Sequence, residues 1–270
     1  MLNRMQLAII KKDIHAITSN KRILSVLIIV PALMTLVMPL SMILPILLSP
    51  PDSPDIEQFA MMLYSAGFVE ATYDMPYNDL RRAVLGLIMN NVLPLFFLMI
   101  PMTASSVMAA SAFVGEKEKS TLETLLYCPL PLKEVFGAKI MASFFVGFTV
   151  SALSFAVMSL VVQVAIALAT GGLVMPNINW LIIKLLVSPA VSLIAINLIV
   201  RGSAKARSAE ESQQRSLFLI LPVILIAVGQ LTGVFMLNVF IFLAMGLVLA
   251  LLALLMFKGS FGKFRYETLL

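Results

Sequence analysis

Long apolar runs, separated by short polar or charged stretches, recur along the whole of this chain. Six of them are long enough to cross a lipid bilayer as an α-helix, which needs about 20 residues. With 60% of its 270 residues hydrophobic, 12% charged and a mean hydropathy of +1.02, the chain is far more apolar than a soluble globular domain. We therefore predict an all-α integral membrane protein with six transmembrane helices, at residues 23–48, 83–114, 140–170, 180–200, 216–236 and 239–257.

The first of the polar stretches, residues 1–22, has the pattern of an amphipathic helix that lies along the membrane surface. Its apolar residues recur at helical spacing and share one face, namely Leu7, Ile10, Ile14 and Ile17. Its charged residues are expected elsewhere on the helix, namely Arg4, Lys11, Lys12 and Asp13. The other polar stretches are residues 49–82, 115–139, 201–215 and 258–270.

The distribution of Lys and Arg predicts which side of the membrane each stretch occupies. Six crossings place both termini on one side, together with 115–139 and 201–215, and these four stretches hold sixteen of the nineteen basic residues. By the positive-inside rule, that side is the cytoplasm and residues 49–82 form an extracytoplasmic lid. The net charge of +5 does not indicate nucleic-acid binding, because the basic residues are scattered among apolar runs.

One densely charged stretch, residues 115–139, interrupts the apolar middle of the chain. Ser120 and Glu123 have the spacing of a capping box, which satisfies free N–H groups at the start of a helix. Three leucines at helical spacing follow and give that helix one apolar face: Leu122, Leu125 and Leu126. Pro129 and Pro131 end it and allow a second helix to run into the next crossing. The pattern predicts a rigid lever between membrane and cytoplasm, with an ordinary interfacial loop helix as the alternative.

The same stretch resembles the cytoplasmic signature of permease subunits of type-2 ABC transporters. The resemblance lies in an acidic–basic pair, a T-L-E-x-L-L-x-x-P-L core, then a Glu and a Lys that opens the next crossing. The matching residues are Glu116, Lys117, Glu118, Thr121, Leu122, Glu123, Leu125, Leu126, Pro129, Leu130, Glu134 and Lys139. The amphipathic N-terminus, the six crossings and the polar loop at 203–214 are similar to the family in outline.

This resemblance implies a permease subunit that forms the translocation path of an exporter in the plasma membrane, surrounded by membrane lipids. Two such subunits, either two copies or this chain and a related one, would join cytoplasmic ABC ATPase subunits that bind ATP and magnesium. Coupling to the ATPase would depend on Glu116, Glu118, Thr121, Leu122, Glu123, Leu125, Leu126 and Pro129.

The predicted crossings offer little that could supply energy or catalysis from within the chain. Ion-coupled transporters usually place charged residues in the bilayer, whereas here Lys184 lies near the end of a crossing and can extend towards the surface. There is no GxxxxGK phosphate loop, and the lone Cys128 and lone His15 provide neither a disulfide nor a metal site. We therefore expect no catalytic, cofactor or metal site in this chain.

Five polar residues fall within the predicted crossings: Asn90, Asn91, Gln163, Asn197 and Gln230. They either hydrogen-bond between helices or line a substrate path. Small residues at i, i+4 and i+8 (Ser143, Gly147, Ser151) and a GxxxG pattern (Gly229, Gly233) predict close helix contacts, within the chain or between subunits.

Three functions are consistent with these patterns. The leading one is the permease of an ATP-driven exporter. The second is a membrane anchor through which an ATPase remodels envelope or signalling complexes without transport, and the third is an ion-coupled transporter that works alone.

Overall fold

A computed structural model of the chain describes residues 3–50, 77–118, 130–203, 206, 208–231 and 238–261. Within these ranges all regular structure is helical and no strand occurs, which confirms the predicted all-α class. The α-helices are α1 (Arg4–Ser19), α2 (Lys21–Ala32), α3 (Met38–Leu48), α4 (Tyr77–Leu87), α5 (Leu93–Phe97), α6 (Met99–Glu118), α7 (Leu132–Thr170), α8 (Ile178–Ile182), α9 (Ser188–Gly202), α10 (Ala209–Leu217), α11 (Ile220–Leu231) and α12 (Val239–Phe261). Three π-helical segments join some of them: π1 (Leu33–Val37), π2 (Ile88–Val92) and π3 (Ile183–Val187).

Five helices of the described ranges are long and apolar enough to cross a membrane, and they indicate a membrane-embedded protein. They are Lys21–Leu48, Asn78–Glu118, Leu132–Thr170, Ile178–Gly202 and Val239–Lys258. The crossing predicted at 216–236 contains the shorter apolar helix Ile220–Gln230, and residues 232–237 lie outside the described ranges. The sixth crossing therefore stays a prediction, as does the lid, because residues 51–76 are not described either.

The second and third of these helices are longer than the crossings predicted for them. They contain 41 and 39 residues, or roughly 60 Å each at 1.5 Å per residue. Since a bilayer's hydrocarbon core is about 30 Å thick, both extend beyond it. Helix α7 begins directly after Pro131 and belongs to an apolar helix long enough to cross a membrane. We call the end of the bundle at which Glu116 lies the Glu116 end, and the opposite end, at which Thr170 lies, the Thr170 end.

The centre of the bundle is formed by Asn78–Glu118 and Ile178–Gly202. In the most apolar 18-residue stretch of these two helices, 67% and 61% of the residues are buried. The corresponding shares in the other three helices are 22%, 22% and 17%. Phe97 and Trp180 pack edge to face at 5.5 Å between ring centroids and join these two helices at the core. The outer helices expose mostly apolar residues, as expected where lipid replaces water around the protein.

Each π-helical segment ends two residues before a proline, namely Pro39, Pro94 and Pro189. Proline lacks an N–H and its ring clashes with the carbonyl four residues earlier in an α-helix. In all three cases the residue before the proline donates to the carbonyl five residues earlier, as from Leu93 to Ile88. The wider turn thus accommodates the proline within each helix.

The small-residue pattern in α7 is used within the chain. Ser143, Gly147 and Ser151 are buried against α6 or the helices beside it. A Cβ added at Gly147 would overlap Ser105 Oγ and lie 3.1 Å from the carbonyl oxygen of Pro101. Only glycine allows α6 and α7 to approach this closely, which resolves the choice that the sequence left open.

Candidate functional site

Four charged side chains meet at the Glu116 end of the bundle. Lys12 Nζ lies 2.6 Å from Glu116 Oε1, and Lys139 Nζ lies 2.8 Å from Glu116 Oε2. Lys139 Nζ also lies 3.5 Å from Asp13 Oδ2 and donates a 2.7 Å hydrogen bond to the carbonyl oxygen of Ala112. We call Lys12, Asp13, Glu116 and Lys139 the ionic cluster.

Three members of the ionic cluster are buried: Lys139 is 2% exposed, Asp13 5% and Glu116 8%. Removing charges from water is costly unless each one is paired and hydrogen-bonded. An ammonium group has three donors, and Lys139 directs its Nζ at Glu116, Asp13 and the Ala112 carbonyl. With two lysines and two carboxylates, the cluster has no net charge when all four groups are ionised. Its most buried cation, Lys139, has a partner for each of its three N–H donors.

The pKa of Asp13 is raised above its ordinary value, first because burial disfavours the charged carboxylate and also because Glu116 is close. Lys139 and Lys12 act in the opposite direction without cancelling this effect. Burial alone would lower the pKa of Lys12, but its hydrogen bond to Glu116 and the charges of Glu116 and Asp13 outweigh burial and raise it.

The ionic cluster connects three helices. Lys12 and Asp13 belong to α1, Glu116 lies in the last turn of α6, and Lys139 lies in the third turn of α7. Gln6 Nε2 adds a 3.4 Å hydrogen bond from α1 to Glu134 in the first turn of α7. The cluster thus joins the N-terminal helix to both helices that flank residues 119–129.

Most of the predicted coupling residues lie outside the described ranges: Thr121, Leu122, Glu123, Leu125, Leu126 and Pro129. The predicted capping box at Ser120 and Glu123 lies there as well. Two predicted residues are described. Glu116 belongs to the ionic cluster, and Glu118 Oε2 accepts a 3.3 Å hydrogen bond from the backbone N–H of Ala209.

The contact of Glu118 reaches α10, a short helix that begins in the polar loop predicted at 201–215 and ends two residues beyond it. Arg22 Nη2 forms a second link to this helix, 2.7 Å from Glu210 Oε1. Between α2, α6 and α10 lies a cavity of about 350 Å³ with Ile23 and Val107 among its apolar lining residues. The Glu116 end therefore gathers α1, α6, α7 and α10 into one assembly.

The predicted apolar face of α1 divides in two. Ile10 and Ile17 are buried at 9% and 4% exposure, whereas Leu7 is 52% and Ile14 36% exposed. The buried face is formed by Ile9, Ile10, Asp13 and Ile17. The expectation that Asp13 lies away from the packed face was wrong. It lies three residues after Ile10 and four before Ile17, and it turns inward because Lys139 is there to pair with it.

Three of the five predicted path residues lie at the Thr170 end: Asn90, Asn91 and Gln163. Asn90 and Gln163 bind the linker between α7 and α8, and Asn91 binds the first turn of α8. Asn90 Oδ1 accepts from the backbone N–H of Asn177 at 2.9 Å, and Asn91 Oδ1 accepts from Asn179 Nδ2 at 3.2 Å. Gln163 accepts from the backbone N–H of Val174 at 3.2 Å and donates to the carbonyl oxygen of the same residue.

The two remaining polar residues lie elsewhere. Asn197 is buried in α9 and donates at 2.8 Å to the carbonyl oxygen of Leu193 in its own helix, and Gln230 is buried in α11. Of the GxxxG pattern, Gly229 is described and Gly233 is not. Lys184, expected to extend towards the membrane surface, lies with its Nζ 4.1 Å from the ring centroid of Phe155, a cation–π contact.

Comparison with protein-family models, curated proteins and solved structures finds no match to this chain. In the described part of the chain, no group of three or more His, Cys, Asp or Glu side chains could hold a metal ion. The class defined by the structure is that of an all-helical, membrane-embedded protein with a buried ionic cluster at one end of its bundle.

Proposed function

We propose that this chain is the permease subunit of an ATP-driven exporter of the ABC type. One observation carries the proposal: the ionic cluster ties the N-terminal helix α1 to both helices that flank residues 119–129. These undescribed residues contain the leucine-faced helix that the sequence predicts as the contact with an ATPase. The cluster lies where a displacement of that helix would enter the bundle.

The ionic cluster favours movement of the three helices as one body. Separating Lys139 from its partners would leave Asp13 buried without its cation and Glu116 with Lys12 alone, and breaking a buried pair costs about 3–5 kcal/mol. A push on residues 119–129 therefore displaces the ends of α6 and α7 together, and α1 follows through Lys12 and Asp13. Because α6 and α7 are themselves parts of the long apolar helices, the displacement reaches the crossings.

The orientation that we propose places both termini and the Glu116 end in the cytoplasm of the cell. The basic residues at this end include Lys12, Arg22, Lys117 and Lys133, whereas Arg81 and Arg82 lie at the Thr170 end. This distribution supports the positive-inside assignment. ATP and magnesium would bind to the separate ATPase subunits, and a second permease copy or a related chain would complete the transporter.

The test is co-purification of the full chain with a separate ATPase, followed by substitution of alanine at Leu122, Leu125 and Leu126. We expect the triple variant to lose association with the ATPase and to lose transport. Leu153→Ala is the matched control, because Leu153 is 64% exposed on the outer face of α7. Unchanged association and transport in the triple variant would contradict the proposal.

The polar contacts at the Thr170 end favour a second candidate, an ATPase anchor that moves no cargo. Asn90 and Gln163 bind the linker at 171–177 and Asn91 binds Asn179 in α8, so these three predicted path residues are engaged in holding structure. Reconstituted vesicles separate the two functions. Stimulation of ATP hydrolysis by a transported compound supports the exporter, and ATP hydrolysis that responds to no such compound supports the anchor.

A further inference from the structure

Helix α1 has a second face that the ionic cluster does not use. Arg4, Leu7, Lys11, Ile14 and Thr18 are all exposed and follow one another at alternating spacings of three and four residues. This spacing places them in a single stripe along the helix. The stripe alternates basic with apolar side chains, and it lies away from the packed face of Ile10, Asp13 and Ile17. We call it the outer stripe.

The charges of α1 are divided between its two faces. The only acidic residue of the helix, Asp13, is buried and pairs with Lys139. The exposed charged residues are Arg4, Lys11 and Lys12, all basic, and of these only Lys12 has an ion-pair partner in the described part of the chain. The exposed side of α1 is therefore cationic with apolar side chains in between.

The position of α1 restricts what this side can meet. Asn20 alone separates α1 from Lys21, where the apolar helix Lys21–Leu48 begins. The outer stripe must therefore lie close to the surface at which that helix enters the bilayer. A face that combines exposed leucine and isoleucine with basic residues that pair with no acid in the described ranges fits a lipid surface whose headgroups are negatively charged.

We propose that the outer stripe of α1 binds anionic phospholipid, with Leu7 and Ile14 entering the acyl region and Arg4 and Lys11 contacting headgroup phosphates. The interaction is independent of transport and of any ATPase, since it needs only α1 and the bilayer. It gives α1 two attachments: the buried ionic cluster holds it to the protein, and the outer stripe holds it to the membrane.

The experiment uses the full chain with a spin label at Ala8→Cys, an exposed position beside the stripe, in a Cys128→Ser background. Nanodiscs contain either phosphatidylcholine alone or phosphatidylcholine mixed with phosphatidylglycerol. Accessibility of the label to oxygen reports contact with lipid, and accessibility to a water-soluble nickel chelate reports contact with solvent. We expect the mixed bilayer to raise the first and lower the second, and high salt to reduce the difference.

The decisive variant is Arg4→Gln with Lys11→Gln. Each basic residue near an anionic surface contributes a factor of about five to binding, so the double variant should weaken docking roughly 25-fold and remove the preference for the mixed bilayer. Lys133→Gln is the matched control, because Lys133 is exposed at the same end of the bundle on α7 and should leave the preference unchanged.

Three outcomes would overturn the proposal. A label that responds equally in both bilayers excludes a preference for anionic lipid. A preference that survives both the double variant and high salt assigns it to another part of the chain. A label shielded from both reagents in either bilayer shows that protein, such as a second copy of the chain, covers the outer stripe.

Discussion

The ammonium group of Lys139 lies 2.8 Å from Glu116 Oε2, although 22 residues of sequence separate the two positions. Between them runs the charged stretch that we propose as the contact with a cytoplasmic partner. The ion pair holds the two ends of this stretch together in the apolar bundle. Asp13 and Lys12 then connect the same point to the N-terminus.

Replacing Lys139 with methionine should destabilise the protein strongly. Asp13 and Glu116 would remain buried without their shared cation, and breaking a buried ion pair in this way costs about 3–5 kcal/mol. The loss can be measured as a lower unfolding midpoint in detergent, followed by the fluorescence of the single tryptophan, Trp180. Lys133→Met, which removes an exposed lysine from the same helix, is the control. Equal midpoints for the two variants would show that the ionic cluster contributes nothing to stability.

Asp13→Asn should have a smaller effect that depends on pH. The pKa of Asp13 is raised from 3.8, so the folded protein binds this proton more tightly than the unfolded chain does. The resulting stabilisation is fully present below 3.8 and is lost as pH rises through the pKa of the folded protein. Wild type should therefore gain stability relative to Asp13→Asn as pH falls from neutral towards this value.

The measurement for Asp13 is the difference in unfolding midpoint between wild type and Asp13→Asn over a series of pH values. Asp79→Asn, at the opposite end of the bundle, should retain the wild-type dependence because Asp13 is still present. A difference that stays constant with pH, or one that grows in favour of the variant at low pH, would contradict the burial of an ionisable Asp13.

Gly147→Ala should loosen the contact between α6 and α7. The added Cβ would overlap Ser105 Oγ and lie 3.1 Å from the carbonyl oxygen of Pro101, and overpacking of this kind costs about 1–3 kcal/mol. Gly202→Ala is the control, since a Cβ there meets nothing within 4 Å. Unfolding by increasing fractions of a denaturing detergent provides the free-energy difference.

The same contact allows a double-mutant test. Ser105→Ala removes the hydroxyl group that the new Cβ would meet, so Gly147→Ala should cost less in that background than in wild type. The rescue should be partial, because the Ser105 Cβ and the Pro101 carbonyl remain 3.0 and 3.1 Å away. If the destabilisation caused by Gly147→Ala were the same with and without Ser105→Ala, the small-residue contact would lie somewhere other than α6.

Features encoded locally could be predicted from the sequence. The apolar runs predicted the helical class, and Pro131 lies directly before the first residue of α7. The spacing of Ser143, Gly147 and Ser151 indicated a close approach of helices. In each case a few neighbouring residues carry the physical cause.

Features that depend on distant partners could not be predicted. The buried side of α1 is rotated towards Asp13 because Lys139, 126 residues away, supplies a counter-charge that no local pattern reveals. Likewise, Asn90 is polar in an apolar helix because it binds the linker backbone at Asn177, 87 residues later. The periodicity of a single sequence predicts the buried side of a helix from hydropathy alone. In the folded protein, the buried side also depends on which partners the neighbouring helices provide.

The three wide turns before Pro39, Pro94 and Pro189 have a consequence for chain length. A π-helical turn amounts to one extra residue inserted in an α-helix, and the helices on either side keep their original phase around the insertion. Omitting a single residue from Leu33–Val37, Ile88–Val92 or Ile183–Val187 would therefore leave the side chains on either side on their present faces. It would also return the following proline to an α-helical turn, where its ring meets the carbonyl four residues earlier. The extra residue thus relieves a local clash in each helix without changing which faces pack against the rest of the bundle.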